Sequence, residues 1–434
     1  MKEFKGEPLL ECASEDVVRA AQAKRFQTHL VRCARHSPYY RRLFKEAGIR
    51  PAAVDLERLS SLPITDKTDF SRHNEDFLAV SRDKIVDIVL SSGTTGRPTR
   101  IMYTERDLRR LAYNEQISFS GCGITAADTA LLTCTMDRCF IAGLAYFLGI
   151  RELGAAAIRN GHGTLASHLE IIRMIKPTVL VGVPSFLRKL AVFLKEHGED
   201  PAGSSVRKLV CIGEPVRGAD RELLKLGNDL QALWQADVYS TYASSECIST
   251  FCECTAQCGG HLHPDLAIVE ILDEAGHPVA AGQTGEVVLT PLDIEGMPLI
   301  RFRTGDVSFL MTEPCACGRT SPRLGPILGR KQQMMKVRGT TLYPQAVFAA
   351  LDEIPDLGDY YLEIIGKENL SDDLVIHLGA RAGQPSPEWL KERLQACLRV
   401  TPVIVIDPED KVRHHLYSPE SRKPVRVWDR RKSQ

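Results

Sequence analysis

Ser91-Ser92-Gly93-Thr94-Thr95-Gly96-Arg97-Pro98-Thr99 puts five hydroxyl side chains and two glycines into nine residues. A loop of this composition can wrap a polyphosphate with side-chain hydroxyls and bare backbone N–H groups, because glycine lets the backbone come close and take positive φ. No Gly-Lys-Ser/Thr follows the second glycine, so it is not a Walker loop. The preceding Ile85-Val86-Asp87-Ile88-Val89-Leu90 reads as a buried strand, and Arg100-Ile101-Met102-Tyr103 as a second one. Thr104, with Asp107 three residues on, reads as the N-cap of a helix from Glu105. The expected context is therefore a mobile hairpin loop between two strands. A plain polar turn would have the same composition, and the rest of the chain decides between the two.

The chain has 434 residues, enough for a large core and two or more domains. Its 55 basic residues balance its 55 acidic ones, which gives no electrostatic case for nucleic acid or an anionic membrane. Met1-Lys2-Glu3-Phe4-Lys5-Gly6-Glu7 carries no apolar signal region, and the longest apolar stretch, at 141–150, is too short for a membrane span. Thirteen cysteines without an export signal predict reduced thiols in a cytoplasmic protein, with any close cluster a metal candidate. No internal repeat or low-complexity segment is evident.

The first eighty or so residues are mostly helical in pattern, with apolar residues at helical spacing over 15–47 and an extended turn at Leu62-Pro63-Ile64-Thr65-Asp66-Lys67. From residue 85 onward, strand candidates (178–183, 208–212, 237–241) alternate with helices, one opening at Pro184-Ser185 and one from Gly218. This alternation predicts an α/β fold with largely parallel sheets. After residue 267 the pattern changes to short strands, as at 267–272 and 285–289, which predicts a β-rich subregion. Paired strands at 361–365 and 374–378, a helix capped by Ser386-Pro387 and a strand at 403–406 make a C-terminal α+β module of about a hundred residues.

Four further motifs follow the opening loop in order. Thr241-Tyr242-Ala243-Ser244-Ser245-Glu246 follows a strand, where α/β sheets place ligands. A carboxylate there can hold Mg²⁺, and the ring of Tyr242 can stack on a purine. Upstream, Gly213-Glu214-Pro215 also follows a strand, a weaker signal. Arg301-Phe302-Arg303-Thr304-Gly305-Asp306 offers an aspartate able to accept two ribose hydroxyls, with Arg303 read as structural. Gly329-Arg330-Lys331-Gln332-Gln333-Met334-Met335-Lys336-Val337-Arg338-Gly339 is followed by Tyr343-Pro344, and Ser421-Arg422-Lys423-Pro424-Val425-Arg426-Val427 lies near the C-terminus.

Together these motifs resemble the adenylate-forming superfamily of acyl-CoA synthetases, peptide-synthetase adenylation domains and luciferases, and within it the phenylacetate-CoA ligase family. The resemblance runs from about Tyr39 to the C-terminus. It implies a large ATP- and acid-binding domain over 1–330, a hinge near 331–333, and a small mobile lid domain over 334–434 that carries a catalytic lysine. Ser92, Gly93, Thr94, Thr95 and Gly96 would hold the β- and γ-phosphates of ATP. Gly213, Glu214 and Pro215 would flank the adenine, and Tyr242 would lie against it. Ser245 would sit near the α-phosphate, Glu246 would hold Mg²⁺, Asp306 the ribose, and Arg330 would reach the ribose or α-phosphate. Lys423 would bridge the carboxylate and the α-phosphate, where a positioned cation is worth several kcal/mol. Three departures stand out: alanine at 243 for the usual glycine, glutamines at 332 and 333 for two acidic residues, and arginine and proline around Lys423. Glutamine removes any charge-dependent bias between two domain orientations.

Cys252-Glu253-Cys254-Thr255-Ala256-Gln257-Cys258 and Cys315-Ala316-Cys317-Gly318 form two knuckles of soft ligands suited to a tetrahedral structural Zn²⁺. Cys254, Cys258, Cys315 and Cys317 are the expected ligands, Cys252 is the reserve, and His261 and His263 compete for one position. Buried free thiols are the alternative. Cys134 and Cys139 lie beside an apolar segment at 140–148 that would line the acyl pocket by the resemblance, and they read as space-filling.

The implied reaction is a two-step ligation of a carboxylic acid, aryl or arylacetic by family resemblance, to coenzyme A through an acyl-adenylate. The family's glycine-rich pocket stretch reads Ala142-Gly143-Leu144-Ala145-Tyr146-Phe147 here, which reshapes the pocket. The alternatives are an adenylating enzyme with another acceptor (a carrier-protein thiol, an amine or a deazaflavin-type cofactor) and a non-catalytic, zinc-braced nucleotide-binding protein. A homodimer follows by family analogy alone.

Overall fold

The computed structural model describes residues 4–91, 99–337, 340–366, 372–417 and 424–432. It divides into two compact units, Met1–Thr304 with Ser308–Ile327, and Gly305–Val307 with Leu328–Gln434. The second unit thus begins a few residues before the expected hinge and includes a short piece of an earlier strand.

The first unit is built around a six-stranded sheet in the order Ala156–Arg159, Thr129–Leu132, Val179–Gly182, Lys208–Ile212, Asp237–Ser244, Ser249–Cys252. The first five run parallel, and the last turns back antiparallel. Alternate residues feed two apolar cores, as a period-2 strand buried on both faces requires. Leu131, Leu180, Leu209 and Val238 pack with Leu187, Leu190 and Trp234 on one face. Leu132, Val179, Val181 and Val210 pack with Phe119, Tyr146 and Ile150 on the other. Each fully buried side chain of this kind contributes about 1.5–3 kcal/mol.

The opening motif is flanked as expected. Ile85–Ser91 pairs antiparallel with Thr99–Thr104, with Ser91 opposite Thr99. Residues 92–98 between them lie outside the described residues. Thr104 and Asp107 form a reciprocal capping box that opens the helix Glu105–Gly121. The predicted N-terminal helical stretch is two helices, Glu15–His36 and Pro38–Glu46, because Pro38 leaves Ser37 extended and lets it cap the second. Ala267–Leu272, Gly285–Pro291 and Phe302–Ser308 lie side by side in the β-rich region. The largest core joins their Ile268, Leu289 and Phe302 to Phe26, Leu30 and Tyr40 of the N-terminal helices.

The helix expected from Gly218 begins only at Lys225 and ends at Trp234. Residues 217–223 form a tight turn instead, with Arg221 at φ 74° and Arg217 bridged to Leu223. No described helix is long and apolar enough to cross a membrane.

The second unit carries a four-stranded sheet in the order Val403–Asp407, Asp372–Gly379, Tyr360–Gly366, Val427–Asp429. Its outer pairs are parallel and its central pair is antiparallel. The helices Pro344–Asp352 and Pro387–Leu398 pack Val347, Leu351, Leu390 and Leu394 against Leu362, Ile364 and Ile376. Ser386 caps the second of these, with proline at the first helical position, as the sequence predicts.

Candidate active site

Tyr242 and Ser244 belong to the last parallel strand, Asp237–Ser244, rather than following it. Ser245, Glu246, Cys247 and Ile248 form the tight turn into Ser249–Cys252. This puts Glu246 at the carboxyl edge of the sheet, the position open α/β sheets use for ligands. Its side chain is only 8 % exposed, so its few neighbours set its chemistry. Lys67 Nζ lies 3.6 Å from Oε1, and Ser244 Oγ donates to Oε2 at 3.4 Å. The turn backbone is held from two more sides. Tyr103 Oη donates to the Ser245 carbonyl at 3.2 Å. Arg110, wholly buried, donates to the carbonyls of Ile248, Leu292 (2.8 Å) and Leu266 (2.5 Å). Burial lowers the Arg110 guanidinium to about 10, with Asp293, Asp107 and Asp265 opposing the shift.

Tyr103 lies one residue before the end of the strand Thr99–Thr104, so that strand and the Glu246 turn are joined directly. Lys67 starts the short helix Lys67–Arg72, which Asp66 and Asp69 cap reciprocally. Thr65, two residues earlier, is tied to the sheet by Thr65 N to Arg301 O (3.2 Å) and Arg303 N to Thr65 O (2.8 Å). The sequence predicts only an extended turn there. The Asp66/Asp69 capping signature was the available signal that Lys67 sits at a fixed helix start.

Gly213, Glu214 and Pro215 follow the strand Lys208–Ile212, with Gly213 at φ 72°. The Glu214 carboxylate takes the Ser185 N–H at 3.0 Å and its hydroxyl at 2.9 Å, so it binds the first turn of the helix Pro184–Glu196. The ring of Tyr242 lies 6.5 Å from that of Phe251, near parallel, while remaining partly exposed. In the second unit, Asp306 pairs across the strand with Arg330, whose Nε lies 3.4 Å from Asp306 Oδ1. Arg303 instead faces Glu286 at 3.3 Å. The candidates Ser92, Gly93, Thr94, Thr95, Gly96 and Lys423 lie outside the described residues.

The cysteine knuckles meet, with one change of partner. Cys254, His261, Cys315 and Cys317 bring four ligand atoms within 4.8 Å of one another. Cys254 and Cys315 are 3.6 Å apart at sulfur, and Cys317 Sγ lies 3.3 Å from His261 Nε2. Tetrahedral zinc thiolates put neighbouring sulfurs about 3.7 Å apart, so the donor set fits that ion. His261 Nδ1 bonds the Ser321 carbonyl at 3.1 Å, which leaves Nε2 for a metal. Cys258 is not in the cluster, because its sulfur faces Arg221 at 3.7 Å. The reserve, Cys252, is buried against Cys122 (3.2 Å) and Thr241 Oγ1 (3.0 Å). His263 is taken by Glu11 and Ser118.

Between Cys252 and Cys254, the Glu253 side chain forms a buried ion pair with Arg217 Nε at 2.7 Å and accepts the Ser240 N–H at 2.7 Å. It thereby joins the cysteine knuckle to the strand leading to Glu246 and to the segment after Pro215.

The profile of AMP-binding enzymes matches residues 15–290. The phenylacetate-coenzyme A ligase of Thermus thermophilus is 32 % identical over 85 % of this chain and 82 % of its own length. The Escherichia coli enzyme of the same name is 29 % identical over 85 % and 83 %. A crystal structure of 2-hydroxyisobutyryl-CoA ligase in the postadenylation state shares the fold at a TM-score of 0.85 and 24 % identity, over 98 % of this chain and 92 % of that one. Sheet order, turn and profile together define an AMP-binding enzyme of the adenylate-forming class. Within that class, the chain belongs to the phenylacetate-coenzyme A ligase family.

Proposed function

We propose that this chain joins a carboxylic acid to coenzyme A at the expense of ATP. A carboxylate oxygen attacks the α-phosphorus, and the bond to pyrophosphate breaks. The coenzyme A thiol then attacks the acyl carbon, loses its proton, and AMP leaves. The observation that carries this reading is the buried Glu246 turn at the carboxyl edge of the sheet, fixed by Tyr103, Arg110 and Lys67. A buried carboxylate with one cation beside it among the described residues suits a hard divalent ion that also binds phosphate oxygens. Mg²⁺ there would neutralise charge on the leaving pyrophosphate.

The residues have separate tasks. Ser92, Gly93, Thr94, Thr95 and Gly96 cradle the departing phosphates. Tyr242, Gly213, Glu214 and Pro215 bound the adenine, Asp306 accepts the ribose hydroxyls, and Arg330 beside it reaches the ribose or the α-phosphate. Ser245 lies by the α-phosphate, and Lys423 offsets the charge that builds there. A carboxylate is already nucleophilic at neutral pH, so positioning and electrostatics do the rest. The small domain, 334–434, then turns about Gln332 to admit the thiol.

An aryl or arylacetic acid is the favoured substrate class, in line with the two phenylacetate-coenzyme A ligases named above. Gly143 supports a tightly packed pocket wall, since a Cβ there would meet the Thr135 carbonyl at 2.2 Å. The guanidinium of Arg159 lies 4.9 Å from the Phe147 ring centroid, which fixes that ring where the family has glycine. Cys254, His261, Cys315 and Cys317 hold a structural Zn²⁺, and a cytoplasmic setting keeps these thiols reduced. A homodimer follows the family analogy.

The test is ATP–pyrophosphate exchange across a panel of carboxylic acids, with and without coenzyme A. Acid-dependent exchange together with thioester formation is the expected result. Exchange without a thioester would assign another acceptor. Failure of every acid to support exchange would overturn the reading.

A further inference from the structure

Arg431 lies in the last turn of the second unit, just past the strand Val427–Asp429, and its guanidinium uses all five of its N–H groups. Nε donates to Asp429 Oδ1 at 2.9 Å, and one Nη2 hydrogen goes to Asp429 Oδ2 at 2.8 Å. Nη1 donates to Asp372 Oδ2 at 3.0 Å and to the Met334 carbonyl at 2.6 Å. The remaining Nη2 hydrogen goes to the Gln332 carbonyl at 3.1 Å. Asp372 Oδ2 also accepts the Lys336 N–H at 2.8 Å. Two carboxylates, Asp372 on a central strand of the small sheet and Asp429 on its edge strand, therefore hold one arginine, and that arginine holds two carbonyls of the segment 331–334. Charge-assisted bonds from a planar fork are strong and directional, and lysine cannot reproduce the geometry.

We propose that Arg431 is a clasp that makes residues 332–336 part of the small domain's rigid body. The pivot for domain rotation is then confined to the peptide units before the Gln332 carbonyl. Both glutamines at 332 and 333 are uncharged, so their side chains supply no ionic hold on this segment, and the clasp acts on the backbone instead. Rotation is transmitted only while the clasp is closed. The strand it closes on, Val427–Asp429, follows the Lys423 segment, so that segment and the pivot are linked through one side chain. This inference rests on the two-step reading above.

The experiment uses the full chain with phenylacetate as probe acid, synthetic phenylacetyl-AMP and coenzyme A. Arg431→Ala is expected to leave adenylate formation within about threefold of wild type. Thioester formation from the pre-made adenylate should fall at least tenfold, and amide hydrogen exchange over 332–337 should rise while Tyr360–Gly366 stays protected. Arg431→Lys should fall between. Arg430→Ala, which removes the neighbouring exposed pair with Glu363, should behave as wild type. Equal loss of both half-reactions, loss of neither, or the same split in Arg430→Ala overturns the clasp. If Arg431→Ala does not fold, Arg431→Lys must show the split or the proposal fails. If wild type makes no adenylate with any acid, the functional reading fails, and the exchange over 332–337 alone decides the clasp.

Discussion

Lys67 Nζ and Glu246 Oε1 stand 3.6 Å apart, one at the start of a short helix and the other in the turn at the sheet edge. The ammonium is partly exposed and the carboxylate is buried, so the lysine is the partner that can move. A cation arriving at Glu246 competes with it. Lys67→Met should therefore lower the half-saturating free Mg²⁺ in pyrophosphate exchange about fivefold, of the order a partly screened contact supports. A rise instead would mean that Lys67 serves the phosphates rather than restraining Glu246.

The Cys254, His261, Cys315 and Cys317 cluster makes a residue-specific prediction. Elemental analysis of the purified chain should find about one zinc per chain. Cys254→Ser, Cys315→Ser, Cys317→Ser and His261→Ala should each lose it and lower Tm. Cys258→Ser and Cys252→Ser should retain it, since their sulfurs face Arg221 and Cys122. Zinc lost with Cys258 but not with His261 would reverse the assignment.

Glu253 and Arg217 form a pair in which both side chains are almost entirely buried. Glu253→Gln leaves the guanidinium without its counter-charge, a loss of about 3–5 kcal/mol. Denaturant unfolding should show this as a lower midpoint. Adding Arg217→Met should recover part of the loss, because the stranded charge is then gone. Strict additivity of the two substitutions would show that the pair does not act as a unit.

Glu115 predicts a pH dependence of stability. Burial pushes its carboxyl up to about 7 from an ordinary 4.5, while the Thr250 hydroxyl bond partly opposes the shift. The folded chain thus holds this proton where the unfolded chain has released it. The stabilising contribution is complete below the unfolded value and is lost as pH rises through the folded one. Between pH 5 and pH 8 this amounts to about 2.5 kcal/mol. Glu115→Gln keeps an acceptor for Thr250 and removes the charge, so its gain over wild type in urea unfolding should be larger at pH 8 than at pH 5. An equal difference at both pH values would refute the shift.

The local features were legible because their signals are local. Thr104 and Asp107 cap one helix, Ser386 and Pro387 open another, and the β-branched runs at 179–182 and 208–212 are buried parallel strands. The helix expected at Gly218 was misplaced because Arg221 takes a left-handed turn that no propensity announces. Cys258 and His261 could not be separated by spacing, since each stands a few residues from Cys254 and only the fold turns one sulfur towards Arg221. Lys67, Tyr103 and Arg110 went unread because each meets the Glu246 turn across a long stretch of chain.

That same distance bears on how the protein comes into being. Trp234 donates to the Leu187 carbonyl 47 positions away, and its core is assembled from neighbouring strand–helix units. Tyr103 and Arg110 reach the turn across 142 and 138 positions. Closing such long loops is the slow part of folding. A nascent chain is therefore expected to acquire its sheet before the Glu246 turn is held by Tyr103 and Arg110. An incompletely folded copy has no formed centre with which to consume ATP.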